Sequence, residues 1–437
     1  MSFDVLSRRD NICPPGCVLC EEACSKRSGA KIPHVIRHID LPEVHYNGIV
    51  TCIQCSEPEC LEICPSGAIT KSAKDGVVRI DEGRCVGCGM CTLACPYGGL
   101  TYHSSERKAV KCDLCGGRPE CVNVCPVNVI ELVRNRDIER YLSKDQFLSP
   151  GTRACPGCAA ELSYRSTQRL LGTYEEVVIF GCPGCMTILM NGFGTMPGSR
   201  MSYVSCLFTN VFSSMTGMHR YFRHKDRDVK LVAFVGDGCV SDVSFQTLSA
   251  AAERGENIVA ICYDNEGYQN TGNQKSSTTP KGAKTYTSPV GKTAGGKREN
   301  SKNVPLIMVS HNIPYVATAT TAYTEDYLRK LTKALKVEHG MAYIHLLTPC
   351  PPGWGIPGDS AIEFSRLAVE TGYFPLWEYE NEKLNFTYEP KAYRPVSEFI
   401  KAQGRFSHLK KEDVDEFQRL VDKRFKHIAA LSAIGQQ

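Results

Sequence analysis

No run of apolar residues in this 437-residue chain approaches the roughly 20 needed to cross a bilayer as a helix, so no membrane span is expected. The first residues also lack the basic-then-apolar pattern of a secretory leader, which argues against an oxidising compartment and a disulfide framework. Net charge is scarce: 51 Lys and Arg against 47 Asp and Glu leave +4, too little at this size to imply a nucleic-acid partner. A Walker phosphate loop is missing as well, because Gly291-Lys292-Thr293 has Tyr286 where the leading glycine should stand. With 22% charged and 42% hydrophobic residues, the expectation is a soluble globular protein, cytoplasmic and sensitive to oxygen.

Cysteine, by contrast, is abundant. Of 24 in the chain, 16 fall in four runs before residue 126: Cys13, Cys17, Cys20, Cys24; Cys52, Cys55, Cys60, Cys64; Cys85, Cys88, Cys91, Cys95; and Cys112, Cys115, Cys121, Cys125. Each holds a Cys-x2-Cys core, three close on Cys-Pro, and the third keeps the bacterial ferredoxin spacing C-x2-C-x2-C-x3-C-P. In such a run three thiolates grip one iron-sulfur cube and the fourth reaches the neighbouring one, so four [4Fe-4S] clusters are expected. If the second and third runs form one lobe, Cys95 joins Cys52, Cys55 and Cys60, while Cys64 joins Cys85, Cys88 and Cys91. The outer runs then pair as Cys13, Cys17, Cys20 with Cys125, and Cys112, Cys115, Cys121 with Cys24. This nesting resembles the four-cluster ferredoxin subunits of anaerobic respiratory oxidoreductases. Zinc also suits paired Cys-x2-Cys units, but zinc ribbons leave the repeated trailing Cys-Pro unexplained.

A charged stretch, residues 131–152, follows the fourth run, with helical spacing early and a Ser-Pro-Gly turn late. It marks a boundary between a domain over 1–140 and another over 141–437. Beyond it, apolar segments at 177–180, 230–238, 257–265 and 342–350 alternate with helical ones, the pattern of a parallel sheet covered on both faces. Gly236-Asp237-Gly238 ends the second segment, and Asn265 follows the third, 28 residues after Asp237. This is the half-site pattern for thiamin diphosphate. A diphosphate needs a hard cation such as Mg2+, for which Asp237, Asn265 and the Gly267 carbonyl supply oxygens. The glycines let the backbone approach the phosphates, and a helix starting near Val243 can direct its N-terminus toward them.

The stretch from Gly236 to Lys292 resembles the thiamin diphosphate-binding (beta) subunit of the 2-oxoacid:acceptor, pyruvate:ferredoxin-type, oxidoreductases. The likeness extends to Ala154-Cys155-Pro156-Gly157-Cys158, to Thr348-Pro349-Cys350-Pro351-Pro352-Gly353-Trp354, and to Gln403-Gly404-Arg405-Phe406 with His408-Leu409, covering about residues 150–425. The resemblance implies an α/β thiamin diphosphate-binding fold, a parallel sheet with flanking helices, preceded here by an α+β polyferredoxin domain. It implies that Asn270 lies beside the reacting carbon and that a loop from Thr271 to Thr279 closes over the cofactor. It further implies a proximal [4Fe-4S] cluster, the fifth, on Cys155, Cys158, a cysteine some way downstream and Cys350. Cys182, in a Gly-Cys context, is the expected third ligand, with Cys185 as its rival. Cys206, Cys239 and Cys262 read as core residues.

The function implied is oxidative decarboxylation of a 2-oxoacid, usually to a coenzyme A thioester, with electrons leaving singly through the clusters to ferredoxin or to a flavin/NAD subunit, as in phenylglyoxylate dehydrogenases. The carboxylate that activates the aminopyrimidine has no room in this chain. Alpha (pyrimidine-domain) and gamma-type subunits of the same complex are therefore expected partners. Two other readings are a pure electron-transfer subunit with a vestigial thiamin fold and a non-oxidative thiamin decarboxylase. The intact Asp237, Asn265 and Asn270 oppose the first, and the clusters oppose the second.

Overall fold

The computed structural model describes residues 3–7, 17–28, 37–41, 44–48, 52–55, 58–95, 99–103, 106–126, 130–134, 147–149, 153–190, 198–390 and 392–434. The chain forms two compact units, one of Met1–Lys144 with Ser149–Thr152 and one of Asp145–Leu148 with Arg153–Gln437.

The first unit is built from antiparallel pairs and short helices. β1 (Phe3–Ser7) pairs with β8 (Ile130–Arg134), β2 (Arg37–Leu41) with β3 (Val44–Gly48), β4 (Ile69–Lys71) with β5 (Val78–Ile80), and β6 (Leu100–His103) with β7 (Lys108–Lys111). Residues 131–134, where the spacing suggested a helix, are thus strand; long-range pairing with β1 overrides the local pattern. Its two buried cores are small and largely sulfur. One gathers Cys20, Cys24, Cys52, Cys112 and Cys121 around Val77, Leu114 and Ile130; the other sets Cys60 and Cys91 among Ile69, Val78, Leu100 and Ala109. So few aliphatic side chains cannot stabilise a unit of this size alone, and such folds depend on staples.

The second unit is organised by one sheet. Its strands are β9 (Val177–Gly181), β10 (Ser202–Ser205), β11 (Lys230–Gly236), β12 (Val259–Asp264), β13 (Tyr315–Thr320), β14 (Ala342–Leu347), β15 (Leu376–Glu380) and β16 (Lys383–Tyr388), in the order β10-β9-β11-β12-β14-β13-β15-β16. All pairs from β10 to β13 are parallel, and β15 and β16 add an antiparallel margin. Every residue of β12, β13 and β14 is buried, because helices cover both faces. Leu231, Ala233 and Val235 pack with Val211, Phe212 and Met215 of the helix Val211–His224 and with Leu248 of the helix Phe245–Glu253. Phe234 points to the opposite face and meets Tyr164 of the helix Ala159–Leu171. Among the described residues no helix is long and apolar enough to cross a membrane.

Candidate active site and cluster sites

Four adjacent strands, β9, β11, β12 and β14, end on the same edge of the sheet. Cys182 follows β9, Asp237 follows β11, Asn265 follows β12, and Cys350 stands shortly beyond β14. The chain runs from β9 outward to β10 and then back past β9 to β11. Their shared edge is therefore a topological switch point, where loops diverge and leave a crevice at the carboxyl ends.

In that crevice Asp237 is 1% exposed and Asn265 5%. One end of the Asn265 amide lies 3.1 Å from Asp237 Oδ1 and 2.8 Å from the Gly267 carbonyl oxygen. As an NH2 it donates to both. As a carbonyl it completes a ring of three oxygens that only a cation can hold together. Neighbouring corners of a magnesium octahedron are about 2.9 Å apart, given ligand distances of roughly 2.0–2.1 Å, and both distances from the Asn265 amide are close to that edge. The expected ligands Asp237, Asn265 and Gly267 are thus brought together, and they fit a small hard cation.

Thr278 holds this arrangement from below. Its hydroxyl lies 3.0 Å from Asp237 Oδ2 and 2.9 Å from Asp264 Oδ1. Burial, and after it the neighbouring Asp264, holds the Asp237 carboxyl well above the ordinary carboxylate range. Two carboxylates so placed need positive charge nearby to ionise together. His345 supplies a polar partner on one side, its Nε2 2.8 Å from Asp264 Oδ2 and its Nδ1 2.7 Å from the Tyr343 hydroxyl. Lys297 fixes the loop that carries Thr278, donating to the carbonyls of Ser276, Ser277 and Thr279 at 3.1, 2.9 and 2.6 Å.

Gly236 closes β11, and Gly238 opens a π-helical turn, Gly238–Val243, so the regular helix starts at Phe245 rather than near Val243. A Cβ on Gly238 would lie 2.5 Å from the Tyr268 ring, whose hydroxyl donates to Asp242 Oδ2 at 3.1 Å; only glycine admits this packing. Asn270 and Thr271 lie in an exposed turn.

The thiols beyond the crevice sort into two groups. The Cys155-Pro156-Gly157-Cys158 turn docks against the segment after Cys350: Gly157 has φ +74°, and a Cβ there would lie 1.3 Å from the Gly358 carbonyl. Cys185 is pushed up to about 12 by burial and then by Cys350, Asp237 and Cys155, while burial raises Cys158, with Cys185 and Cys350 adding to the effect. Cys350 is raised to about 11, by burial first and with Cys155 among its neighbours. Cys155, Cys158, Cys185 and Cys350 therefore share one neighbourhood, and Asn265 Nδ2 stands 4.0 Å from Cys185 Sγ. Cys182 does not join them. It turns into the core beside Cys239, with Cys206 and Cys262 close by.

In the first unit, one void of about 320 Å³, counting the solvent at its mouth, is lined by Cys64, Cys85, Cys88 and Cys91. Cys60 has Cys95, Cys52, Lys111 and Cys91 around it, and Cys121 has Cys112, Cys115, Cys24 and Cys20. Cys55 is half-buried; Cys17, Cys20 and Cys125 lie in or near the outer core, and Cys13 is outside the described residues. Among the described residues no three His, Cys, Asp or Glu side chains close on a single ion.

Sequence reasoning missed the residues that brace the crevice. Glu266, next to Asn265, is ion-paired at 2.6 Å with Arg405, and both are buried. The Arg405 guanidinium stacks 3.9 Å from the Trp354 ring centre, and Trp354 Nε1 donates to the Asn265 carbonyl at 2.9 Å. The two motifs noted without a role, Pro351-Pro352-Gly353-Trp354 and Gln403-Gly404-Arg405-Phe406, thus meet behind Asn265.

The family described as thiamine pyrophosphate enzyme, C-terminal TPP binding domain, matches residues 181–346, and the 4Fe-4S dicluster domain matches residues 47–135. The NADH-dependent phenylglyoxylate dehydrogenase subunit beta of Aromatoleum evansii is 40% identical over 388 residues, 88% of this chain and 86% of that protein. Pyruvate synthase subunit PorB of Methanothermobacter thermautotrophicus is 43% identical over 282 residues, 64% of this chain and 96% of its own. Ketoisovalerate oxidoreductase subunit VorB of Pyrococcus horikoshii is 40% identical over 296 residues, 65% of this chain and 93% of its own.

Removing Arg405 leaves Glu266 buried without its cation. R405M is expected to cost about 3–5 kcal/mol in chemical denaturation, and the double variant E266Q/R405M to recover most of that loss. Equal stability of R405M and the native chain would show that the pair does not brace the crevice.

Proposed function

Because this chain belongs to the thiamin diphosphate-binding beta subunits of the 2-oxoacid oxidoreductases, we propose that it binds thiamin diphosphate through Mg2+ on Asp237, Asn265 and the Gly267 carbonyl, and carries five [4Fe-4S] clusters. The proposed proximal cluster sits on Cys155, Cys158, Cys185 and Cys350. The observation that supports the reading is that the Asn265 amide lies 3.1 Å from Asp237 Oδ1 and 2.8 Å from the Gly267 carbonyl oxygen on one side and 4.0 Å from Cys185 Sγ on the other. Bound thiamin diphosphate supplies the electron sink for breaking the bond between a 2-oxoacid's carbonyl carbon and its carboxylate.

The chain's own groups do the rest. Thr278 donates to Asp237 Oδ2 and so turns Oδ1 toward Asn265. The π-turn after Asp237 leaves backbone N–H groups free at the edge where a diphosphate would lie. Asn270 and Thr271, in an exposed turn, are in position to meet the reacting end of the cofactor and the substrate. Cys185, beside Asn265, makes the first electron step short. The relative with similarity over both units is named an NADH-dependent enzyme, which supports a flavin/NAD subunit rather than ferredoxin as acceptor. Coenzyme A, a 2-oxoacid, and alpha and gamma-type partner subunits complete the reading. Turnover of the complex against pyruvate, 2-oxoglutarate, indolepyruvate, oxalate and phenylglyoxylate selects the substrate.

Three outcomes follow. D237A should lose thiamin diphosphate on gel filtration while keeping its iron, because no cluster thiolate lies in that motif; retention of the cofactor would sink the cation assignment. The native chain, handled anaerobically, should hold about twenty irons, C185S about four fewer, and C182S as many as native, since only Cys185 shares the quartet. Iron lost from C182S and kept by C185S would reverse that assignment. Deuterium exchange at C2 of bound thiamin diphosphate should be slow in the isolated chain and about 10²–10⁴-fold faster once the partner supplies its acid-base group; fast exchange in the chain alone would place that group within it.

A further inference from the structure

Lys111, the last residue of β7, is 4% exposed, yet among the described residues no carboxylate pairs with it. Its ammonium donates to the Val78 carbonyl and, at 2.7 Å, to that of Cys112. Gln54, wholly buried with φ +52°, donates to the same Cys112 carbonyl at 2.8 Å and accepts from Val78 N–H, while its own N–H points at Cys52 Sγ at 3.4 Å. The ammonium thus sits where the second cysteine run meets the fourth. Cys60 feels its charge directly.

A buried ammonium held only by neutral carbonyls is costly, and proteins compensate such charges with an anion. Carbonyls alone do not supply it. A cluster gripped by four thiolates does, and it gains a further negative charge on reduction. Resting on the cluster reading above, we propose that Lys111 is the counter-charge of the cluster on Cys52, Cys55, Cys60 and Cys95, and that it raises this cluster's reduction potential. The levers on a cluster's potential are net charge, hydrogen bonds and burial, and here the first is provided by one side chain.

The test is an anaerobic redox titration of the whole complex followed by electron paramagnetic resonance, with iron counted in parallel. K111M should lower one cluster midpoint by about tenfold in its reduction constant, about 59 mV for a one-electron couple, from Coulomb's law at an effective dielectric of about 20. K111Q, which keeps a donor but not the charge, should show the same fall. K111R should keep the native potential, and K74M, at an exposed lysine, should move nothing. Unchanged midpoints in K111Q with iron retained would overturn the proposal, as would a fall in K111R equal to that in K111Q. Should K111M shed its clusters, K111Q and K111R still decide between charge and packing. A native chain without any cubane signal would instead sink the cluster reading on which this rests.

Discussion

At the carboxyl ends of β11 and β12, Asp237 and Asp264 are buried side by side with one threonine hydroxyl between them. A single hydroxyl proton cannot serve two carboxylates at once, so the pair demands positive charge from elsewhere. The surrounding structure is arranged around that demand. His345, backed by the Tyr343 hydroxyl, reaches Asp264 from β14, Lys297 pins the loop that bears Thr278, and the Asn265 amide is left between Asp237 Oδ1 and the Gly267 carbonyl. Parallel strands in register make this possible, since Gly236 lies opposite Tyr263 and Asp264 opposite Leu347, which brings three strand ends to one level.

The first unit meets a related difficulty without a sheet to organise it. Its cores contain more sulfur than branched aliphatic side chains, and burial pushes Cys91 and Cys121 up to about 12, far from the thiolate form a metal needs. Iron is what lets such thiols be buried as anions. A short-helix, short-hairpin fold with so little apolar volume is the kind that depends on staples.

Much of this was legible beforehand, for identifiable reasons. Cysteine spacing marks a 4Fe-4S domain, and Gly-Asp-Gly after one apolar strand with an asparagine after the next sets Asp237 and Asn265 at adjacent strand ends. Other features left no such trace. Cys182 and Cys185 have equal claims by spacing, and only the direction of the chain leaving Gly181, which buries the first and sets the second at the start of the helix Cys185–Met190, separates them. β13 was missed because Tyr-Val-Ala-Thr-Ala-Thr reads as half polar, although Thr318 Oγ1 finds the Pro375 carbonyl at 2.8 Å and is wholly interior. Arg405 lies 139 residues beyond Glu266 (405 − 266), so no local pattern could pair them.

Charge in low dielectric is the theme common to both units. A buried carboxylate, ammonium or thiol is expensive alone, and each of those described here is placed where a partner of opposite sign would make it favourable. In the second unit the crowded oxygens of Asp237 and Asp264 call for a cation, and in the first the Lys111 ammonium, held by carbonyls, calls for negative charge. The sign of each unmatched charge is thus informative in itself. Acidic oxygens crowd where a cation must sit, and a lone ammonium marks where negative charge must arrive and leave, which is the requirement of a chain that takes electrons from carbon chemistry at one site and passes them on one at a time.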